Sequence, residues 1–345
     1  MKLGYEEIKE ITTGAARIEQ EDKYIRFYRF TQEEEDLYKQ RSDNFYEWSK
    51  YTAGIRLMFD TDSESLSLKV NVPENFIRKF FSLDVTVNGE FIGSIDNFYQ
   101  KIFSNNYTQA CVYEKLLPDL TFGDFAKSFE LGEGKKTVVI YLPYSVALKL
   151  EELSLDDGAF IEAVKPKKKL LVYGDSITQG FDILRSCNHY IPRLANVLGA
   201  EVFSKAIAGE VFWSELTSIK QSYTPDYIVV SYGTNDWSSK TEESFKAECV
   251  GFFEKLINHY PASKVFVLSP IWADVGNKET KFGKHEKVEM CIRDIVADFE
   301  NAVVISGFDF LPHESKYFAD ASMHPNDEGF EHFFKNLHNA IEGII

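Results

Sequence analysis

Long apolar runs are missing from this chain of 345 residues, and no stretch is long and apolar enough to cross a bilayer. The opening Met1-Lys2-Leu3-Gly4-Tyr5-Glu6-Glu7 lacks an apolar export segment and a small-residue cleavage pattern, so a cytoplasmic protein is expected. Cysteine is scarce as well. Cys111, Cys187, Cys249 and Cys291 lie far apart with no C-x-x-C spacing, which argues against a zinc site or a disulfide framework and for buried thiols in a reducing compartment. Basic residues are outnumbered, 38 against 54 acidic, for a formal charge of −16. That balance disfavours nucleic acid and anionic membrane surfaces and suits a soluble protein acting on a neutral substrate. Repeats and low-complexity tracts are absent too.

What is present divides near residue 165. The earlier part has β texture: Lys23–Phe30, Gly54–Phe59, Ser65–Val72 and Leu83–Val87 alternate, and Lys136–Leu142 adds a further strand. Asn88-Gly89 after one such run is a two-residue hairpin signal. Many short strands without a long helix predict a β-sandwich over residues 1–165, jelly-roll-like, in which Glu33-Glu34-Glu35-Asp36 forms a solvated acidic face. Unpaired sandwich edges leave room for a homo-oligomer. Lys165-Pro166-Lys167-Lys168-Lys169 reads as a charged linker into residues 166–345. There, apolar strands at 170–173, 201–203, 227–231, 264–268 and 302–305 alternate with helical segments such as His189–Leu198, Glu242–His259 and Glu286–Phe299. This is the pattern of an α/β unit, a parallel sheet with helices on both faces.

Short motifs sit at the ends of these strands. Leu170-Leu171-Val172-Tyr173 runs into Gly174-Asp175-Ser176, with Gly180 four residues past the serine. Ala208-Gly209 follows the next strand, Gly233-Thr234-Asn235-Asp236 follows Tyr227-Ile228-Val229-Val230, and Asp320-Ala321-Ser322-Met323-His324-Pro325-Asn326 lies near the C-terminus. Open α/β sheets bind ligands at the carboxyl ends of their strands, so these motifs converge on one edge.

The order Gly-Asp-Ser, Gly, Gly-x-Asn-Asp, His-Pro resembles the SGNH (GDSL) hydrolase superfamily over roughly residues 168–345. The resemblance implies that Ser176 is the nucleophile and His324 its general base. It also implies an oxyanion hole of the Ser176 N–H, the Gly209 N–H and the Asn235 side chain, with no metal or organic cofactor. The chemistry suits those residue types: a serine hydroxyl needs a base titrating near neutrality, and an oxyanion needs fixed donors. The family usually carries Asp-x-x-His, whereas here Ala321 stands three residues before His324 and Asp320 four before. Either one extra residue still lets Asp320 hold the ring, or the pair works as a dyad, or a backbone carbonyl takes the Nδ1 proton. The other histidines, His189, His259, His285, His313, His332 and His338, read as surface or structural.

A β-sandwich ahead of such a domain is similar to carbohydrate esterase families that remove acetyl groups from plant polysaccharides. That likeness implies an acetylated saccharide as substrate and makes Trp237, just past Asn235, a candidate sugar contact ahead of Trp213 and Trp272. The alternatives are a lipase, lysophospholipase or thioesterase with the same machinery, or a carbohydrate-binding protein that has lost activity.

Overall fold

The computed structural model describes residues 1–74, 77–98, 120–275 and 278–344. Cys111 lies outside the described residues; Cys249 and Cys291 are buried and Cys187 is half-buried. Among the described residues no helix is long and apolar enough to cross a membrane.

In chain order the first part holds α1 (Tyr5–Ile11), β1 (Thr12–Thr13), β2 (Arg17–Glu21), β3 (Tyr24–Tyr28), α2 (Gln32–Arg41), α3 (Asp43–Ser49), β4 (Arg56–Thr61), β5 (Ser65–Val72), β6 (Ser82–Val87), β7 (Glu90–Asp96), β8 (Gly123–Glu130), β9 (Lys136–Tyr141), β10 (Lys149–Leu155) and β11 (Ile161–Ala163). The strands form two antiparallel sheets, β1-β4-β9-β6-β7 with β11 added on β4, and β2-β3-β10-β5-β8. Period-2 alternation sends Leu66, Leu68, Val70 and Val72 of β5 into the space between the sheets, where they meet Leu57 and Phe59 of β4 and Val138 and Ile140 of β9. Each such side chain contributes about 1.5–3 kcal/mol by leaving water, so the alternating pattern fixes which face turns inward. The result is a β-sandwich. Asn88-Gly89 makes the β6–β7 hairpin, both residues at positive φ (50° and 89°), as a type I′ turn requires.

The sandwich is not purely β. The helices α2 and α3 interrupt it, against the expectation of strands alone, and of the expected acidic face only Glu33 and Asp36 are exposed while Glu34 and Glu35 turn inward. α2 has almost no apolar stripe, so hydrophobic periodicity does not reveal it. Its sequence marks are the Thr31–Glu34 capping box, acids in the first turn and Lys39 and Arg41 in the last. Glu34 and Glu35 are buried, paired with Lys205 at 2.6 Å and Arg17 at 2.7 Å.

The second part contains β12 (Lys168–Gly174), α4 (Ser176–Gln179), α5 (Tyr190–Leu198), β13 (Ala200–Ser204), β14 (Tyr227–Ser231), α6 (Thr234–Ser239), α7 (Glu242–His259), β15 (Lys264–Leu268), α8 (Lys287–Val296), β16 (Ala302–Ile305) and α9 (Asp327–Ile341). Lys168 and Lys169 begin β12 and so belong to the sheet rather than to a linker. All five strands are parallel, in the order β13-β12-β14-β15-β16. Both faces are covered, which is why these strands read as continuous apolar runs. Leu170 and Val172 pack with Leu194 of α5 and Phe330 and Phe333 of α9. Leu171 and Tyr173 pack on the other face with Phe252 of α7 and Ile292 of α8. From β12 the chain crosses to β13 on one side, then to β14 on the other. The switch point therefore opens at the carboxyl ends of β12 and β14.

The seam between the two parts carries buried charge. The Arg29 guanidinium, wholly buried, donates to the carbonyls of Tyr51 (2.6 Å), Ser204 (3.3 Å) and Ala206 (2.7 Å). Lys205 donates to the Arg29 carbonyl (2.8 Å) and to Glu34, whose other oxygen takes a hydrogen bond from Gln221 (2.9 Å). Burial pulls the Lys205 ammonium below its ordinary range, and the Glu34 charge offsets part of that. Removing one partner leaves the other charge buried and unpaired, so Lys205→Met or Glu34→Gln alone is expected to cost about 3–5 kcal/mol in urea unfolding. The double variant is expected to lose clearly less than the sum of the two. Additive losses would mean that the pair is not electrostatically coupled.

Candidate active site

Asp175, at the end of β12, caps α4: its Oδ1 accepts the Ile177 N–H at 3.0 Å and fixes the sharp turn into Ser176. Burial pushes the Asp175 carboxyl up to about 7, opposed by that hydrogen bond and by the His324 charge. Ser176, 8% exposed, presents its Oγ 2.8 Å from His324 Nε2. Behind it, the buried His189 donates from Nε2 to the Ile177 carbonyl at 3.0 Å, and burial pushes this imidazole down to about 4.

His324 sits on a loop closed by an isolated bridge between Phe318 and Pro325 and by the Ala319 N–H donating to the His324 carbonyl at 2.8 Å. Asn326 then caps α9, its Oδ1 accepting the Gly329 N–H. Within the loop, Asp320 Oδ1 accepts the N–H groups of Ser322 (3.0 Å), Met323 (2.7 Å) and His324 (3.0 Å), while Oδ2 accepts from His324 Nδ1 at 2.7 Å. The residue that lengthens this spacing, Ala321, takes a left-handed conformation at φ 63° and so lets the carboxylate reach the ring. Burial acts to raise the Asp320 carboxyl, but the ring's hydrogen bond and charge and the backbone N–H groups hold it well below the usual carboxylate range. With Nδ1–H facing Asp320, Nε2 is left as the acceptor for the Ser176 hydroxyl.

Gly209 and Asn235 lie on the loops that follow β13 and β14. Gly209 adopts φ 77°, and a side chain there would meet only Phe45 at van der Waals distance, so conformation rather than room demands glycine. Its loop is gripped from several directions. The Ala208 N–H donates to Gln179 Oε1 (2.7 Å), and Gln179 Nε2 in turn donates to the Tyr144 carbonyl (2.8 Å). The buried Glu210 carboxylate accepts from Tyr38 (3.0 Å) and Arg41 (2.7 Å) of α2 and from the Val211 N–H (3.0 Å). Asn235 Nδ2 donates to the Glu210 carbonyl at 3.1 Å, which orients the amide and leaves its second N–H available. The neighbouring Asp236 accepts the Phe212 N–H and pairs with Lys240 at 3.1 Å; burial pushes its carboxyl up to about 6.

Ser176, His324 and Asp320 thus form one hydrogen-bonded line, and Gly209 and Asn235 are tied together through Glu210. Trp237 is the correction: it is 2% exposed, its Nε1 donates to the Gly283 carbonyl (2.8 Å), and its ring meets His285 edge-on. Two residues along a helix is a turn of about 200°, so the side chain after Asn235 and Asp236 points into the core. Phe45 and Trp213 are half-buried aromatics bridged by the Arg41 guanidinium, which lies 4.7 and 4.2 Å from their ring centres. Phe45, from α3, lies 3.9 Å from where a Gly209 Cβ would stand. Gln179, Glu210 and Phe45 escape motif reading, and so does the hold of Asp236 on the Phe212 N–H, although Asp236 itself stands in the Gly233–Asp236 motif. Only Asp236, beside Asn235 at a helix start, carries a local signal. Asp182, Asp320 and His324 offer ligand atoms within 4.8 Å of one another. They fit a cation poorly, because Arg78 holds both Asp182 oxygens and Asp320 is occupied by the ring and three backbone N–H groups.

Residues 172–332 match the GDSL-like Lipase/Acylhydrolase family. No curated protein matches the chain by sequence. Among solved structures, the salicylyl-acyltransferase SsfX3 from a tetracycline biosynthetic pathway is 18% identical, with 97% of this chain and 95% of that one covered at a TM-score of 0.76. A candidate GDSL-like lipase from Bacteroides ovatus is 22% identical over 98% and 96%, TM-score 0.74. A family two carbohydrate esterase from Clostridium thermocellum, an active-site mutant in complex with a cello-oligosaccharide, is 13% identical over 85% and 93%, TM-score 0.63. At these identities the likeness is one of fold.

The buried His189 sets a pH dependence. The unfolded chain takes up a proton on this imidazole below about 6.5, whereas the folded one does so only near 4. Stability present above 6.5 is therefore lost as pH falls toward 4, by about 3 kcal/mol from this group. Urea unfolding of wild type and His189→Gln across pH 4–7 is expected to show that slope shrinking in the variant. Parallel curves would show that His189 protonates equally in both states.

Proposed function

We propose that this chain, which carries a GDSL-like lipase/acylhydrolase domain over residues 172–332, is a serine esterase that removes acetyl groups from sugars or short oligosaccharides. The observation that carries the reading is the line from Ser176 Oγ through His324 to Asp320, at 2.8 and 2.7 Å, standing at the switch point of the sheet. Ser176 attacks the acetyl carbonyl as His324 Nε2 takes its proton, and Asp320 supports the imidazolium. The Ser176 and Gly209 N–H groups and the free Asn235 amide N–H hold the oxyanion. His324 returns the proton to the departing sugar oxygen, and water, activated by the same base, hydrolyses the acyl-enzyme. Support for a sugar comes from the fold shared with family two carbohydrate esterases and from the half-buried rings of Phe45 and Trp213, which suit the apolar C–H face of a pyranose.

A second reading is favoured by the full-length likeness to an acyltransferase: an acceptor alcohol in place of water would take the acyl group from Ser176. Acetate release from acetylated xylo- and manno-oligosaccharides, run beside short- and long-chain nitrophenyl esters and with added alcohols, separates the two. Sugar deacetylation that vanishes in Ser176→Ala is the expected result, and long-chain preference with acetylated sugars untouched would sink the carbohydrate assignment. Asn235→Ala is expected to lower kcat by about 10²–10³ with little change in thermal stability. A smaller loss would remove Asn235 from the oxyanion hole.

A further inference from the structure

We propose that Asp182, held by Arg78, is a second positioning acid for His324. The inference rests on the reading of His324 as the base of a serine esterase. Asp182 lies in the turn after α4, buried at 1% exposure, and takes a left-handed conformation at φ 68°, which an aspartate tolerates better than most residues with a side chain. Its N–H donates to the Tyr144 hydroxyl at 3.2 Å. That turn delivers the carboxylate to the same edge of the imidazole that Asp320 occupies: Asp182 Oδ2 is 3.6 Å from His324 Nδ1, against 2.7 Å for Asp320 Oδ2. Arg78, from the segment between β5 and β6, grips Asp182 as a fork, Nε to Oδ1 and Nη2 at 3.0 Å to Oδ2, the oxygen that also faces Nδ1. Its guanidinium also lies 5.0 Å from the ring centre of Phe181, which itself packs on the His324 ring.

The arrangement has an electrostatic direction. A buried carboxylate without a partner is costly, and Arg78 removes most of that cost while leaving the negative end of the pair turned to Nδ1. When His324 becomes an imidazolium it faces two carboxylates rather than one. Should Asp320 be lost, a ring shift of about 0.8 Å brings Asp182 into hydrogen-bond range and preserves the tautomer. The charged groups facing the ring are Asp320 from its own loop, Asp182 from the turn after α4, Asp175 from the end of β12, and Arg78 from the sandwich. Since Asp175 lies on the nucleophile's side, Asp182 is the group placed to share the Nδ1 proton.

The test measures kcat and KM across pH for the full chain with p-nitrophenyl acetate, in wild type, Asp320→Asn, Asp182→Asn, Asp320→Asn/Asp182→Asn and Arg78→Gln. Removing the Asp182 charge is expected to move the acidic limb of kcat/KM down by about half a unit or more, with KM unchanged. Arg78→Gln, which frees that charge, is expected to move the limb up, so the two variants shift in opposite directions, which loss of structure alone does not produce. Asp320→Asn is expected to fall about 10- to 100-fold, far short of the roughly 10⁴-fold loss when a sole triad acid is neutralised, and the double variant well beyond the product of the singles. An unmoved limb in folded Asp182→Asn, or a double equal to that product, overturns the proposal. If Asp182→Asn proves unfolded by circular dichroism, Arg78→Gln decides, and no upward shift overturns it. Ser176→Ala and His324→Ala run alongside: if they retain activity, the esterase reading itself fails, whatever the Asp182 variants do.

Discussion

Burying Lys205 is the constraint around which the site is arranged. The ammonium stands one residue past β13 with no access to water, and Glu34, from a helix inserted in the sandwich, stands 2.6 Å away and offsets part of the cost of burying it. Arg29 adds a second buried cation, whose Nη1 donates to the carbonyls on either side of Lys205. From that anchored stretch the chain runs only a few residues to Gly209. The backbone N–H proposed to face the oxyanion is thus located by charges belonging to the other part of the molecule. Tyr38 and Arg41 repeat the arrangement one step further along, holding Glu210. The sandwich and the parallel sheet are electrostatically one body at this edge.

Acidic side chains at the site act on the backbone more than on solvent. Asp175 accepts the Ile177 N–H, Glu210 the Val211 N–H, Asp236 the Phe212 N–H, and Asp320 three successive N–H groups around His324. Each loop end therefore carries its own acceptor, which satisfies donors that a buried loop would otherwise leave unpaired. Cations then balance the charge where burial is deepest, Arg41 at Glu210 and Lys240 at Asp236. Part of the acidic excess of the chain is thus internal framework rather than a device for solubility.

Strand and helix signals that depend on apolar periodicity are legible in the sequence: β5 and α7 have the ends that alternation and helical period indicate, as do β14, β15 and β16. The order of short motifs at strand ends places Ser176, Gly209, Asn235 and His324 at one edge. Features that depend on polar burial are not legible. α2 hides because its inward face is Glu34, Glu35 and Tyr38, and an acidic run looks solvated until the cations from distant segments are known. Trp237 misleads for a geometric reason, since standing two residues past Asn235 means near-opposition around a helix. Asp182 and Arg78, 104 residues apart, have no local signature at all.

The loop around His324 is closed at its base by the Phe318–Pro325 bridge, and the slack of an added residue is absorbed where Ala321 turns left-handed. What such a loop preserves is the position of its two fixed ends and the reach of one carboxylate, and its length is free to vary between them. A search that counts residues between aspartate and histidine therefore measures a quantity the chemistry does not feel. Relatives that such a count would discard as defective deserve to be sorted by whether the base of the loop is closed.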